Sequence, residues 1–219
     1  MHWLAGMKGM ALLVILGAGA GVPAMEFVSR SGSRYDEHSL RLDVIYGLQD
    51  LDFDLGLEFD SAIGAEFAYR YEGLADAYSS VGVMIGVGIA GINESIDEDP
   101  WQVDWLTVSV RPRLGALYQL NESIRFEASV VAGVGYGRLE VQREALSAIV
   151  ALDESSSDFV VEVGTRLAAT AKMGQIQLSA GAELLYRGGD YYFPETDPPS
   201  ESKIDQTGVF GFLGVGYTF

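Results

Sequence analysis

From residue 40 to the end of the chain, apolar side chains recur at every second position with glycine or charge between them. The run Leu57–Tyr71 is the clearest. One face carries Leu57, Phe59, Ile63, Ala65, Phe67, Tyr69 and Tyr71, and the other carries Glu58, Asp60, Gly64, Glu66, Ala68 and Arg70. A period of two places successive side chains on opposite faces, so each run reads as a β-strand. Eight strands are predicted, near 40–48, 57–71, 79–91, 104–118, 124–137, 159–171, 176–187 and 207–219. Their connections alternate in length. Glu72–Tyr78, Gln119–Ser123 and Lys172–Gln175 are short, whereas Gln49–Gly56, Ile92–Val103, Arg138–Asp158 and Gly188–Gln206 are long. A meander with every long loop at one end is the pattern of membrane β-barrels.

Alternation does not say which face points outward, because a lipocalin is also an alternating eight-stranded barrel. Three features favour an apolar exterior. The apolar face carries almost no charge through the middle of any strand, as a lipid-facing band requires. It collects Tyr69, Tyr71, Tyr118, Tyr136, Tyr186, Tyr217 and Phe219 near strand ends, and tyrosine favours the interface where its ring is buried and its hydroxyl is wet. The opposite face mixes glycine with arginine and glutamate, which suits a narrow polar lumen. The expected fold is therefore all-β, an eight-stranded antiparallel up-and-down transmembrane barrel over residues 39–219.

Composition sharpens the picture in two ways. A formal net charge of −17 excludes nucleic acid as a partner, since phosphates need a basic surface. The absence of cysteine excludes disulfides and thiolate chemistry. At the other end of the chain, Lys8, the apolar stretch Met10–Gly19 and the small residues Val22-Pro23-Ala24 read as a secretory signal peptide over 1–24. The apolar stretch is too short for a spanning helix, which needs about 20 residues. Residues 25–38 are then expected to be a periplasmic lead-in.

The last strand ends Gly214-Val215-Gly216-Tyr217-Thr218-Phe219. A terminal strand closing on phenylalanine, with tyrosine two positions earlier, resembles the assembly signal of Gram-negative outer-membrane proteins. Together with the signal peptide and eight strands, the chain resembles small outer-membrane barrels of the OmpA/OmpX type and opacity-protein-like barrels. The resemblance implies residence in the bacterial outer membrane, contact with its lipid, and recognition of Tyr217 and Phe219 by the barrel-assembly machinery.

The candidate chemistry lies on the inward face. Seven arginines fall there, Arg41, Arg70, Arg111, Arg113, Arg125, Arg166 and Arg187, beside Asp43, Glu58, Asp60, Glu66, Glu127, Glu162 and Glu183. An eight-stranded barrel is just wide enough inside for side chains to fill it. Charges confined there must pair, and the planar arginine fork suits carboxylates. The expected site is a structural lumen network of Arg41, Asp43, Glu66, Arg70, Arg111, Arg113, Arg125, Glu127, Glu162, Arg166, Glu183 and Arg187. The alternative is a narrow passive channel, with room left by Gly82, Gly86, Gly88, Gly133, Gly135 and Gly137. Sixteen acids drawn from the four long loops stand against Arg138, Arg143 and Lys203. They serve solubility or bind divalent cations, which take carboxylate oxygens. The acids are Asp50, Asp52, Asp54, Glu94, Asp97, Glu98, Asp99, Glu140, Glu144, Asp153, Glu154, Asp190, Glu195, Asp197, Glu201 and Asp205. Ala145–Leu152 suits a short helix or a protein contact, and Tyr191-Tyr192-Phe193-Pro194 is either an exposed aromatic patch or local packing.

Other motifs are weak. Gly86-Val87-Gly88-Ile89-Ala90-Gly91 matches a dinucleotide fingerprint, but it lies inside a strand and opens no helix. Some small outer-membrane barrels modify lipids or cleave proteins, usually with a histidine near the outer rim. Here His38-Ser39 lies before the first predicted strand, so no catalytic residue, cofactor or metal ligand is assigned. The leading reading is a non-enzymatic barrel with a structural or surface-interaction role. Two expectations can be checked in cells. N-terminal sequencing of the mature protein should begin at Met25. Deleting Phe219 should lower outer-membrane levels and leave periplasmic aggregates.

Overall fold

A computed structural model describes residues 36–53, 61–74, 80–98, 101–143, 152–193 and 200–219. The signal segment lies outside these residues, as do Glu58 and Asp60. Eight antiparallel strands follow one another: β1 (Asp36–Phe53), β2 (Ser61–Leu74), β3 (Val81–Glu98), β4 (Trp101–Gln119), β5 (Ile124–Arg143), β6 (Leu152–Met173), β7 (Ile176–Phe193) and β8 (Ser200–Thr218). Each pairs with its sequence neighbours, and β1 pairs with β8 to close the barrel. The closing ladder runs from Ser39 opposite Thr218 to Phe53 opposite Gln206. On the lipid side of this seam Tyr46 lies over Gly211, where a Cβ would come within 2.6 Å of the ring.

Two of the short connections are tight turns with identifiable causes. Gly174 has φ of 65°, the left-handed conformation that a two-residue hairpin turn requires. Between β4 and β5 the Asn121 Oδ1 accepts the backbone N–H groups of Ser123 at 2.9 Å and Ile124 at 2.8 Å.

The predicted alternation holds, and its apolar face points outward. On β5 that face runs Ile124, Phe126, Ala128, Val130, Ala132, Val134 and Tyr136, while Arg125, Glu127, Ser129 and Val131 are buried inside. Thirteen residues at about 3.3 Å each, tilted by about 40°, give a belt about 30 Å tall, the thickness of a hydrocarbon core. Tyr69, Tyr118, Tyr217 and Phe219 edge it at the short-turn end, and Tyr136 and Phe159 at the other, all exposed.

The strands run further than the sequence predicts. The largest gains are at the long-loop end, where β3 reaches Glu98, β5 reaches Arg143, β6 starts at Leu152 and β7 reaches Phe193. Much of what reads as long loop is therefore strand projecting beyond the membrane. In this projection the faces exchange character. Asn93, Asp97, Gln102, Arg138, Gln142, Asp153, Ser155, Ser157, Asp190 and Lys203 are exposed outside. Inside, Ile96, Val103, Trp105, Leu139, Val160, Tyr191, Phe193 and Ile204 pack into one buried cluster. Water replaces lipid around the outer part of the barrel, so the apolar side chains move inward while the two-residue period continues.

The projecting wall is not continuous. The β6–β7 ladder stops at Val160 opposite Gly189, although β5–β6 and β7–β8 continue. The Ser156 hydroxyl bridges the split, donating to the Tyr192 carbonyl at 2.8 Å and accepting its N–H at 3.1 Å. At the other end β1 begins at Asp36, so His38 belongs to the barrel wall instead of preceding it.

One lipid-facing position weakens the wall. Pro112 pairs with Val87 on the β3 side, but the β4–β5 ladder passes from Val110–Val134 to Arg113–Val131 without the two rungs between. Proline has no N–H to donate, and lipid offers no substitute donor. Pro112→Val should restore the bond and raise stability by about 1 kcal/mol, measured by unfolding in detergent or lipid.

Candidate functional site

The barrel interior is organised in layers along its axis. At the short-turn mouth, Arg125 Nη1 donates to Glu37 at 2.6 Å and to Glu72 at 2.7 Å, and Lys172 pairs with Glu37. One layer deeper, Arg70 Nη2 reaches Glu127 at 2.6 Å and Glu72 at 3.0 Å, while Arg41 Nε donates to Asp43 at 2.5 Å.

The middle layer is the most densely connected. Arg111 grips Glu162 with two bonds, Nε to Oε2 at 2.6 Å and Nη2 to Oε1 at 2.9 Å. Ser109 donates to the same carboxylate at 2.6 Å. Arg111 also lies 3.3 Å from Glu183, which Arg166 approaches at 3.4 Å. Arg113 pairs with Glu66, and Arg166 with Asp43. The Arg166 guanidinium stacks 3.3 Å above the Phe212 ring. Phe212 belongs to a buried apolar cluster with Ile45, Ile92, Ala168, Leu185 and Phe210.

Above that cluster Arg187 pairs with Glu94 and Gln206, and its Nη1 donates to Thr107 at 3.2 Å. Gln206 Nε2 donates to Glu94 at 2.9 Å. The Arg187 guanidinium lies 4.6 Å from the Trp105 ring centre, which leads into the apolar cap. There Trp105 Nε1 donates to the Tyr191 hydroxyl at 2.6 Å. Burial pushes the Tyr191 phenol, which lies beyond the lipid belt, up to about 12, so it remains protonated beside the indole.

Glycines make room for these partners. A Cβ on Gly88 would sit 2.9 Å from the Glu66 carboxyl carbon, and one on Gly133 would sit 2.7 Å from Glu162 Oε2. Both lie on inward rungs where a charged side chain crosses from another strand.

All twelve lumen residues expected from the sequence are buried inside, and each makes at least one ion pair with another buried group. The expected set lacks Glu37, Glu72, Glu94, Lys172 and Gln206. Glu72 stands two residues beyond Arg70, and Glu37, Glu94 and Lys172 keep the parity of Arg41, Gly88 and Arg166 further along their strands, so the alternation carried further would have found them; Gln206 has the parity opposite to the outward Tyr217 and Phe219. With them, the network joins eight cations (Arg41, Arg70, Arg111, Arg113, Arg125, Arg166, Arg187, Lys172) to eight carboxylates (Glu37, Asp43, Glu66, Glu72, Glu94, Glu127, Glu162, Glu183).

Two outer acids change assignment, and the aromatic run divides between its two readings. Glu94 is no loop acid but a fully buried lumen partner. Asp205 lies in β8 and accepts bonds from Tyr186 and Lys203, both at 2.6 Å. Of the aromatic run in the fourth expected loop, Tyr191 and Phe193 are core and Tyr192 is exposed. Asp54, Asp99, Glu144, Glu195 and Asp197 lie outside the described residues, as do the side chains of Asp50, Asp52, Glu98 and Glu201 and the segment from Ala145. Among the described residues no group of three or more His, Asp or Glu side chains is arranged to hold a metal ion.

His38 and Ser39 point to opposite faces of β1, so they do not form a pair. Ser39 is buried inside. His38 faces outward, its Nδ1 2.5 Å from the Tyr69 hydroxyl and its ring stacked 6.1 Å from Phe219.

No family model and no curated protein matches the chain. Solved structures do. A major outer-membrane protein from Thermus thermophilus superposes with a TM-score of 0.50 at 15% identity, over 84% of this chain and 99% of that one. The fold is that of a bacterial outer-membrane barrel. Neisserial surface protein A gives a TM-score of 0.45 at 13% identity, covering 83% and 97% of the two chains. Ail of Yersinia pestis gives 0.44 at 16% identity, covering 84% and 98%.

Removing one member of a buried pair strands the other in a poorly solvated space, at a cost of about 3–5 kcal/mol. In this outer-membrane barrel Glu66→Ala and Glu162→Ala should each lower unfolding stability by an amount near that range, reduced by any water that enters. Arg138→Ala breaks only an exposed pair with Glu140 at 2.9 Å and should cost less than about 1 kcal/mol. Equilibrium unfolding of the three variants in the same lipid makes the comparison.

Proposed function

We propose that this protein is a non-conducting, non-enzymatic barrel of the bacterial outer membrane with a structural or surface-interaction role. One observation carries the reading: charged layers, an apolar layer and an apolar cap succeed one another along the barrel axis. A small cavity lies at the short-turn mouth, between Glu37, Glu72, Leu74, Leu117, Gln119 and Arg125. It measures about 10 Å³, the room of about one water molecule. In this reading the Arg–carboxylate network closes the membrane-spanning part, and the cap around Trp105 and Tyr191 closes the outer end.

The outward belt is the lipid contact. Tyr217 and Phe219 sit exposed at the short-turn edge of β8, where the assembly machinery would read the last strand. The acidic outer strands supply the surface that faces partners, and divalent cations are candidates to neutralise it. His38 faces outward at the short-turn end, against the Tyr69 hydroxyl and the Phe219 ring, which suits a packing role for it.

Planar-bilayer recording tests the closed lumen. The wild-type barrel should show no steady conductance. Trp105→Ala combined with Tyr191→Ala should leave the charged layers closed and the barrel still silent, and adding Glu66→Ala with Arg113→Ala should produce openings. Steady wild-type conductance whose ion selectivity changes in Glu66→Ala would replace this reading with the narrow channel.

A further inference from the structure

We propose that the lumen rung formed by Ser39 and Arg41 holds one small monovalent anion of the halide class, reached from the short-turn mouth. Glu37, Ser39 and Arg41 are successive inward positions of β1. Ser39 and Arg41 are each 99% buried, with 1% of their surface exposed. Arg41 spends its Nε on Asp43. Its two terminal nitrogens have no hydrogen-bond acceptor, and neither has the Ser39 hydroxyl a partner. The carboxylate nearest in the ion-pair geometry, Glu127 Oε2, lies 3.9 Å from Nη1, beyond hydrogen-bond range. The Phe212 ring centre is 5.2 Å from the Arg41 guanidinium carbon.

The missing ligand has a definite chemistry. The unmatched groups at this rung are donors, and Arg70 Nε and Arg166 Nε add two more just beyond it. An acceptor is therefore required. Arg41 shares Asp43 with Arg166 and stands 3.9 Å from Glu127, whose close partner is Arg70, so the positive charge on its outer nitrogens has no carboxylate of its own. Water would accept the hydrogen bonds but leave that charge, whereas an anion answers both.

Geometry limits its size and its route. Arg41 is flanked across the ladders by Ala68 on β2 and Gly216 on β8, the two smallest side chains, which leave space beside the guanidinium. The mouth cavity on its route measures about 10 Å³, the room of about one water molecule, which suits a single-atom ion. The apolar cap bars entry from the outer end, while the cavity bounded by Glu37 and Arg125 lies toward the mouth.

Bromide makes the site visible. Crystals of the full barrel grown or soaked in bromide should show an anomalous peak beside Arg41 and Ser39. In thermal unfolding at equal ionic strength, chloride should raise the Tm saturably relative to gluconate, which is too large to enter. Arg41→Gln should abolish that dependence, and Ser39→Ala, the milder change, should weaken it. Arg138→Ala should preserve it. Finding only water at the rung, with the same Tm in chloride and gluconate, would overturn the proposal whether or not the barrel conducts.

Discussion

The interior of this barrel depends on one electrostatic constraint: charges shut inside a narrow wall must be neutralised by one another. An isolated ion in such a space costs several kcal/mol. Eight cations and eight carboxylates meet this constraint together, because most of them touch more than one opposite charge. Glu183 lies between Arg111 and Arg166, and Glu37 between Arg125 and Lys172. Arginine dominates because its fork can engage two partners from one strand. The chain's large negative charge is therefore carried outside this network.

The apolar layers do a different task. Phe210 and Phe212 separate charged layers and lie under guanidinium groups, so they fill volume while offering a ring face to the cation. The cap around Trp105 is a small hydrophobic core of the kind found in soluble proteins. Each fully buried large side chain there contributes on the order of 1.5–3 kcal/mol. The strands beyond the membrane thus need no lipid to hold them together, and across the β6–β7 split the Ser156 hydroxyl adds its two hydrogen bonds to Tyr192.

Much of this is legible in the sequence, because the period of two survives every change of surroundings. Alternation alone places seven arginines and seven acids on the inward face, five of those acids among the described residues. The outer third is harder. There the rule that apolar means outward reverses, and the dense acids of 92–104 and 188–206 resemble loops. Glu94 reads as a loop acid for this reason: it follows Ile92 by two residues on a buried face, yet it sits among exposed acids in the sequence. The bridge from Ser156 to Tyr192 leaves no sequence signal, since it depends on where a ladder stops.

The reversal of polarity along each strand also sets the vertical position of the molecule. Sliding outward would draw Leu106, Val134 and Phe159 into water, and sinking would push Arg138, Asp153 and Lys203 into hydrocarbon. Both displacements are opposed within one or two rungs. The barrel therefore carries its own depth gauge, and a bilayer of different thickness must deform around it before the protein shifts.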